Sequence, residues 1–343
     1  PAITSRFKIM ADLDIAERRQ AQDGRIRRQY KGRTVDFRVN SLPSRYGEKI
    51  CLRLLDSQST QLGLDKLISN PATLELVRTL GSKPFGMILV TGPTGSGKST
   101  TLYSLLAERN EPGINISTVE DPIEYTLPGI TQCQVNREKG FDFSTALRAF
   151  MRQDPDVLLV GETRDQETAK TAIEAALTGH LVLTTLHCND APSAIARLDE
   201  MGVEPFMVSA SLLGIVSQRL LRRVCSDCRI PYHPDSQELG RFGLMTSHEG
   251  NVTFFKATHH GGPGTPCPNC QGTGYKGRIG VYEVLRMNEA LAASVAKTAT
   301  TDLVRQLALE AGMKTLLGYS LDLVREGHTT LEEVDRMVLT DAG

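Results

Sequence analysis

Apolar and polar positions along this chain fall into distinct regimes. Val35, Phe37 and Val39 alternate with Asp36 and Arg38, a period of two that predicts a half-buried strand with Arg38 turned away from the local core. The turn pairs Asp23-Gly24, Lys31-Gly32 and Tyr46-Gly47 set off strands over 25–30, 34–40 and 49–55. Ahead of them, Phe7, Ile9, Met10, Leu13 and Ile15, followed by a charged run, predict a helix over 6–22. From about residue 72 the pattern changes to apolar strands at 87–91, 115–119, 157–160 and 181–186, with helices at 99–109, 144–153 and 165–178. Gly179 sits where a glycine ends the last of these helices. After Cys270 come a strand over 278–285 and helices over 302–311, 316–325 and 331–339, the last opened by a Thr330…Glu333 capping box. The chain therefore divides into a small α+β domain (1–56), a linker (57–71), an α/β core (72–221), a cysteine-bearing subdomain (222–276) and a helical C-terminal subdomain (277–343). Alternating strands and helices predict a parallel sheet with helices on both faces and ligands at the carboxyl ends of its strands.

Length and charge narrow this picture. The 343 residues suffice for two or three domains with real cores. A formal net charge of −1 gives the whole molecule no electrostatic footprint for nucleic acid or an anionic membrane. The charge is uneven, because residues 1–55 hold 13 Lys+Arg against 6 Asp+Glu. No apolar run reaches the roughly 18 residues of a membrane span, and no signal peptide is visible. The chain begins at Pro1 without Met, which suggests that its natural N-terminus lies upstream. Seven cysteines, four of them in two C-x-x-C pairs, suggest a metal in a reducing, cytosolic compartment rather than disulfides.

The chemistry centres on Gly92-Pro93-Thr94-Gly95-Ser96-Gly97-Lys98-Ser99, which fits G-x-x-x-x-G-K-[ST] without substitution. An apolar strand leads in and a helix beginning Ser99-Thr100 leads out, the order an anion-binding loop needs. Gly92, Thr94, Gly95, Ser96, Gly97 and Thr100 would line the phosphates; Lys98 would reach the β- and γ-phosphates, and the Ser99 hydroxyl would ligate Mg²⁺ of bound ATP. Glu162 follows the strand 157–160, where a carboxylate organises Mg²⁺ and polarises water, although Gly161 stands where a metal-binding Asp is usual. Glu124, in the acidic run Glu120-Asp121-Pro122-Ile123-Glu124, is a second candidate for water placement; a solvated turn explains such a run equally well. His187 closes the strand 181–186 and could sense the γ-phosphate, though a lone histidine there is more often structural. Arg148 and Arg152 share a helix face, either as plain surface or as a clamp for phosphate or a neighbouring subunit.

GPTGSGKST, TVEDPIE, DPDVLLVGETRD and the box from Thr178-Gly179-His180 through Leu186-His187, with ERRQAQDGR and FRVN upstream, together resemble the ATPases of type II secretion and type IV pilus assembly. The resemblance covers essentially the whole chain. It implies a hexamer in which a small, PAS-like N-terminal domain packs near the nucleotide of a RecA-like domain. By position, Arg38 and Arg53 match arginines that approach the phosphates, and Arg148 and Arg152 match arginines that act between subunits. Glu124, Glu162 and His187 match the acidic-box glutamate, the Walker B glutamate and the histidine box. Ala21 and Cys188 depart from a common Pro and Thr without touching the chemistry.

Cys225-x-x-Cys228 and Cys267-x-x-Cys270 make a four-thiolate set suited to structural Zn²⁺. The connecting segment is longer than the usual 15–20 residues. His233, His248, His259 and His260 lie within it as competing ligands, and a redox dithiol is the rival reading. The resulting expectation is a cytoplasmic motor ATPase at the inner face of the bacterial inner membrane, powering type IV pilus assembly through an inner-membrane platform protein. A cytoplasmic adaptor would bind the missing N-terminal region, and nucleic acid would not be a partner. Pilus assembly is preferred because Gly280-Val281-Tyr282-Glu283-Val284-Leu285 looks like that branch; a type II secretion ATPase is the alternative. A nucleic-acid translocase and a nucleotide-gated scaffold with little turnover are the readings from other classes.

Overall fold

The computed structural model describes residues 2–55, 62–245, 252–258 and 266–339. These form two compact units, one from Pro1–Leu62 together with Ile123–Leu127, the other from Gly63–Pro122 and Pro128–Gly343.

In the first unit, helix α1 (Ala2–Met10) accompanies an antiparallel sheet of β1 (Gln22–Tyr30), β2 (Arg33–Ser44) and β3 (Gly47–Leu55), ordered β1-β2-β3. Ala11, Ile26 and Val39 form its core, flanked by Phe7, Met10, Leu13, Phe37 and Ile50. The helix expected over 6–22 is therefore shorter and shifted. Asp12 turns left-handed at φ 56°, and the Leu13 amide reaches back to the Lys8 carbonyl at 2.9 Å, a helix-ending arrangement. The charged stretch beyond has no apolar stripe to hold it helical, and Gln22 already begins β1. Lys8 is 1% exposed; it is tolerated because Glu48 Oε1 and the Glu17 carbonyl each sit 2.6 Å from its ammonium.

The second unit opens with α2 (Leu64–Leu67) and α3 (Pro71–Gly81). Then follow β4 (Gly86–Thr91), α4 (Lys98–Arg109), β5 (Ile116–Glu120), β6 (Thr131–Gln134), α5 (Phe143–Phe150), β7 (Val157–Val160), α6 (Gln166–Leu177) and β8 (Leu181–Leu186). Helices α7 (Ala191–Glu200) and α8 (Pro205–Ser211) lead to the long strand β9 (Leu212–Val224). A small antiparallel pair, β10 (Ile230–Tyr232) and β11 (Phe254–Lys256), is separated by α9 (Ser236–Gly240). Strand β12 (Tyr275–Arg286) returns alongside β9, and α10 (Glu289–Val295), α11 (Thr301–Glu310), α12 (Leu316–Arg325) and α13 (Leu331–Val334) complete the unit.

Its sheet runs β12-β9-β4-β8-β7-β5-β6, parallel throughout except for β12. Strands β4, β7 and β8 are buried at every position, which is why they read as unbroken apolar runs. Met87 and Leu89 join one core with the inner faces of α5, α6 and α7, whereas Ile88 and Val90, equally buried, alternate to the other side of the strand. The sequence pattern assigns no strand to 212–224, because Ser217, Gln218 and Arg219 interrupt its apolar run. All three are nonetheless buried. The expected capping box at Thr330 is half made: its hydroxyl accepts from the Glu333 amide at 3.1 Å, while the Glu333 carboxylate turns to Arg222 and Arg336. Among the described residues, no helix is long and apolar enough to cross a membrane.

Candidate functional site

The glycine-rich loop joins β4 to α4, at the carboxyl end of a central strand. Gly92 has φ 142°, and a Cβ there would stand 2.4 Å from the Gln218 carbonyl, so the loop is threaded against β9 where only glycine fits. Gly97, at φ 92°, starts α4 with no side-chain cap. By contrast α5, α6 and α7 have their first amides capped by Asp142, Asp165 and Asp190. The first amides of α4, without a side-chain cap, are thus left for an anion. Lys98 lies inside the loop, donating to the Gly92 and Pro93 carbonyls at 2.7 and 3.1 Å. Burial lowers its pKa, with the charge of Glu162 acting against that and Arg219 with it. Thr94, Gly95 and Ser99 are exposed, Thr100 is half-buried, and Ser96 is buried with an unpartnered hydroxyl. The exposed hydroxyl of Ser99 on the first turn of α4 fits a magnesium ligand.

Glu162 leaves the end of β7, its side chain 13% exposed. Arg164 Nε lies 2.6 Å and His187 Nε2 3.9 Å from the same carboxylate oxygen, Oε2. Burial lowers the His187 pKa, Lys98 and Arg164 push the same way, and Glu162 opposes them. The glycine at 161 has a packing cause: a Cβ there would meet Glu120 Cα at 3.2 Å and the Val119 carbonyl at 3.3 Å. Glu120 itself is 4% exposed and bonded by the Tyr103 hydroxyl, by Thr118 at 2.7 Å and by Gln132 at 3.2 Å, so it serves the core.

The structure thus brings Lys98, Glu162 and His187 together within one unit. Glu124 belongs to the other, where the Arg25 guanidinium donates to the adjacent Ile123 carbonyl at 2.7 Å. There Arg25, Arg38 and Arg53 are cross-strand partners in one row over β1, β2 and β3. Like charges set side by side repel, which suits a surface meant for an anion. Arg38 has Asp23 at 3.8 Å. Arg148 pairs with Glu167 at 2.7 Å, and Arg152, just past the end of α5, donates to the Arg148 carbonyl at 2.9 Å. Sequence reasoning missed Gln218, whose Nε2 donates to the Ser96 carbonyl at 2.8 Å from a strand 122 residues away, and it missed Arg164. The GETRD motif contained the second; nothing local marked the first.

The four thiols of Cys225, Cys228, Cys267 and Cys270 lie within 4.8 Å of one another, and none is in a disulfide. The nearest sulfurs pair across the two motifs, at 3.9 Å for Cys225–Cys267 and 3.6 Å for Cys228–Cys270. The Gly274 amide donates to Cys270 Sγ at 3.3 Å. Burial acts to raise the Cys270 pKa, but this amide, Cys228 and Cys267 bring it down to about 6. A closed set of thiols with amides aimed at sulfur fits a tetrahedral metal ion. His233 lies outside the cluster, with Nδ1 3.2 Å from the Val252 carbonyl; His248, His259 and His260 fall outside the described residues.

The model of the family described as type II/IV secretion system protein matches residues 1–336. The chain belongs to that family. Among its relatives, the type IV pilus assembly ATPase PilB of Thermus thermophilus is 47% identical over 333 residues, covering 97% of this chain and 37% of that protein. The type II secretion system protein E of Pectobacterium carotovorum is 48% identical over 341 residues, covering 98% of this chain and 65% of that one. This chain therefore spans less than two thirds of either relative. The crystal structure of the pilus retraction motor PilT with bound ADP superposes with a TM-score of 0.66 at 31% identity, covering 93% of this chain and 77% of that one. The mixed α/β fold with its parallel sheet is similar to that of PilT.

Proposed function

We propose that this chain is the catalytic portion of a motor ATPase that powers type IV pilus assembly. The observation that carries the reading is the uncapped head of α4 with Lys98 inside its loop and Glu162 and His187 alongside. In this mechanism the α4 amides and Lys98 bind the triphosphate, and Lys98 leaves its loop carbonyls for the β- and γ-phosphates. Glu162 accepts a hydrogen bond from the attacking water, and His187, its pKa lowered, is neutral at pH 7 and can hydrogen-bond the γ-phosphate. Ser99 would hold Mg²⁺, which when bound offsets phosphate charge. Arg38, Arg53 and Glu124 would act from the small unit, and Arg148 and Arg152 toward a neighbour in a homo-hexamer. Guanidinium groups on a transferring phosphoryl contribute roughly 10³–10⁵ in rate, so their arrival would gate turnover.

We assign Zn²⁺ to the four cysteines in a purely structural role. The motor would work in the cytoplasm against an inner-membrane platform protein. A type II secretion role has equal support, since relatives of both kinds match at 47% and 48% identity. Rescue of a pilus-assembly mutant but not a secretion mutant by a full-length hybrid carrying this chain supports the first; the reverse result selects the second. For the chemistry itself, Glu162→Gln is expected to retain ATP binding and lose at least about a hundredfold in kcat. A wild-type chain that binds ATP but hardly turns over, and that Glu162→Gln changes little, would be a nucleotide-gated scaffold.

A further inference from the structure

Arg164 is a charged neighbour of Glu162 that the mechanism above does not use. The residue between them, Thr163, is 5% exposed and fastened to β8: its amide donates to the Thr185 carbonyl at 2.9 Å, and its hydroxyl bonds that of Thr184 at 2.9 Å. With Thr163 pinned inward, Glu162 and Arg164, two residues apart, share the opposite side of the chain. Arg164 Nε then meets Glu162 Oε2 at 2.6 Å, and His187 Nε2 lies 3.9 Å from that same oxygen. Among the described residues, no hydrogen bond is made to either carboxylate oxygen of Glu162, so what holds Oε2 is the ion pair with Arg164.

We propose that Arg164 is a positioning residue for Glu162, fixing Oε2 so that Oε1 is the oxygen presented to the attacking water. The proposal rests on the ATPase reading. A carboxylate on a flexible stem rotates freely about its last torsion, so its two oxygens exchange unless one is held. Arg164 supplies that hold, and His187, neutral at pH 7 and farther away, is a weak substitute. The Arg164 side chain is 61% exposed, and an ion pair with one partner this exposed adds little to folding. Its value lies in a fixed charge that draws Oε2 to one side.

The test is ATP hydrolysis by the whole chain with saturating Mg²⁺, comparing wild type, Arg164→Ala and Arg164→Lys, with Glu162→Gln as the floor. Arg164→Ala is expected to lower kcat roughly ten- to a hundredfold. KM for ATP should stay within about twofold, since ground-state binding does not use this residue. The melting temperature should not move, and Arg164→Lys should recover part of kcat. Full kcat in Arg164→Ala, or a loss carried by KM alone, overturns the proposal while leaving the ATPase reading intact. A loss of kcat matched by a lowered melting temperature, with no recovery in Arg164→Lys, also overturns it, because that is the mark of a structural role. A wild-type chain with no turnover overturns both.

Discussion

Single side chains here are decided by what satisfies them when they leave water. Glu333 is wholly buried, yet its carboxylate accepts from the Arg222 side chain at 2.7 Å and from Arg336 at 2.8 Å. Burial acts to raise its pKa, but these arginines outweigh that and hold it below the usual carboxylate range. A depressed carboxylate contributes stability that is present above the unfolded pKa of about 4.3 and is lost as pH falls through the lower folded value. Glu333→Gln should therefore flatten the acid limb of a urea-denaturation series below about pH 4.3. It should also cost about 1–3 kcal/mol at pH 7, toward the lower end because both arginines keep contact with water. Such partners are invisible in the sequence, where 111 residues separate Arg222 from Glu333. The same distance effect hides the contact of Gln218 with Ser96. Glu162, by contrast, was legible because the strand before it fixes where its side chain emerges.

At the level of elements, Thr330 marked the start of the last helix, whereas α7 and α10 were not assigned despite their Asp190 and Asn288 caps. Fully apolar strands were readable because burial on both faces leaves a local mark. Strand β9 left none, because its buried polar residues mimic a loop. That strand also joins two sites. Val224 pairs with Tyr275, Cys225 follows at once, and six residues earlier Gln218 holds the glycine-rich loop. Removing the proposed metal with a chelator should release amide protection at the Val224–Tyr275 end and in the β10–β11 pair. It should spare β4, β8 and nucleotide affinity, as read by hydrogen exchange and equilibrium binding. Loss of ATP binding from a chain whose sheet stayed protected would mean that the cysteine cluster is more than a staple. Gly92→Ala strikes the other end of the link: with φ 142° and a carbonyl 2.4 Å away, it should abolish ATP binding while the sheet stays folded.

For the whole molecule, the row of arginines in the small unit, with Arg148 in α5 and Arg152 just past it, predicts a site completed by other parts of the proposed assembly. Hydrolysis per chain should rise steeply with protein concentration and be steep only when Mg²⁺ is present. A flat specific activity in a chain shown by mass to be monomeric would remove the ring-motor reading. The two-unit division was only partly legible, because the run of short strands and turns set a boundary near residue 56 but gave no sign that 123–127 would leave the sheet they follow. Tyr125 and Leu127 are each 8% exposed, and the Arg25–Ile123 contact ties that segment to β1. The backbone consequently passes between the units three times, at 62–63, 122–123 and 127–128. A protease site engineered between Leu55 and Gly63 would cut only one of those passages. The liberated N-terminal fragment would still be laced onto a loop of the remaining chain, so the nicked protein should migrate as one species in native gels and come apart only in denaturant.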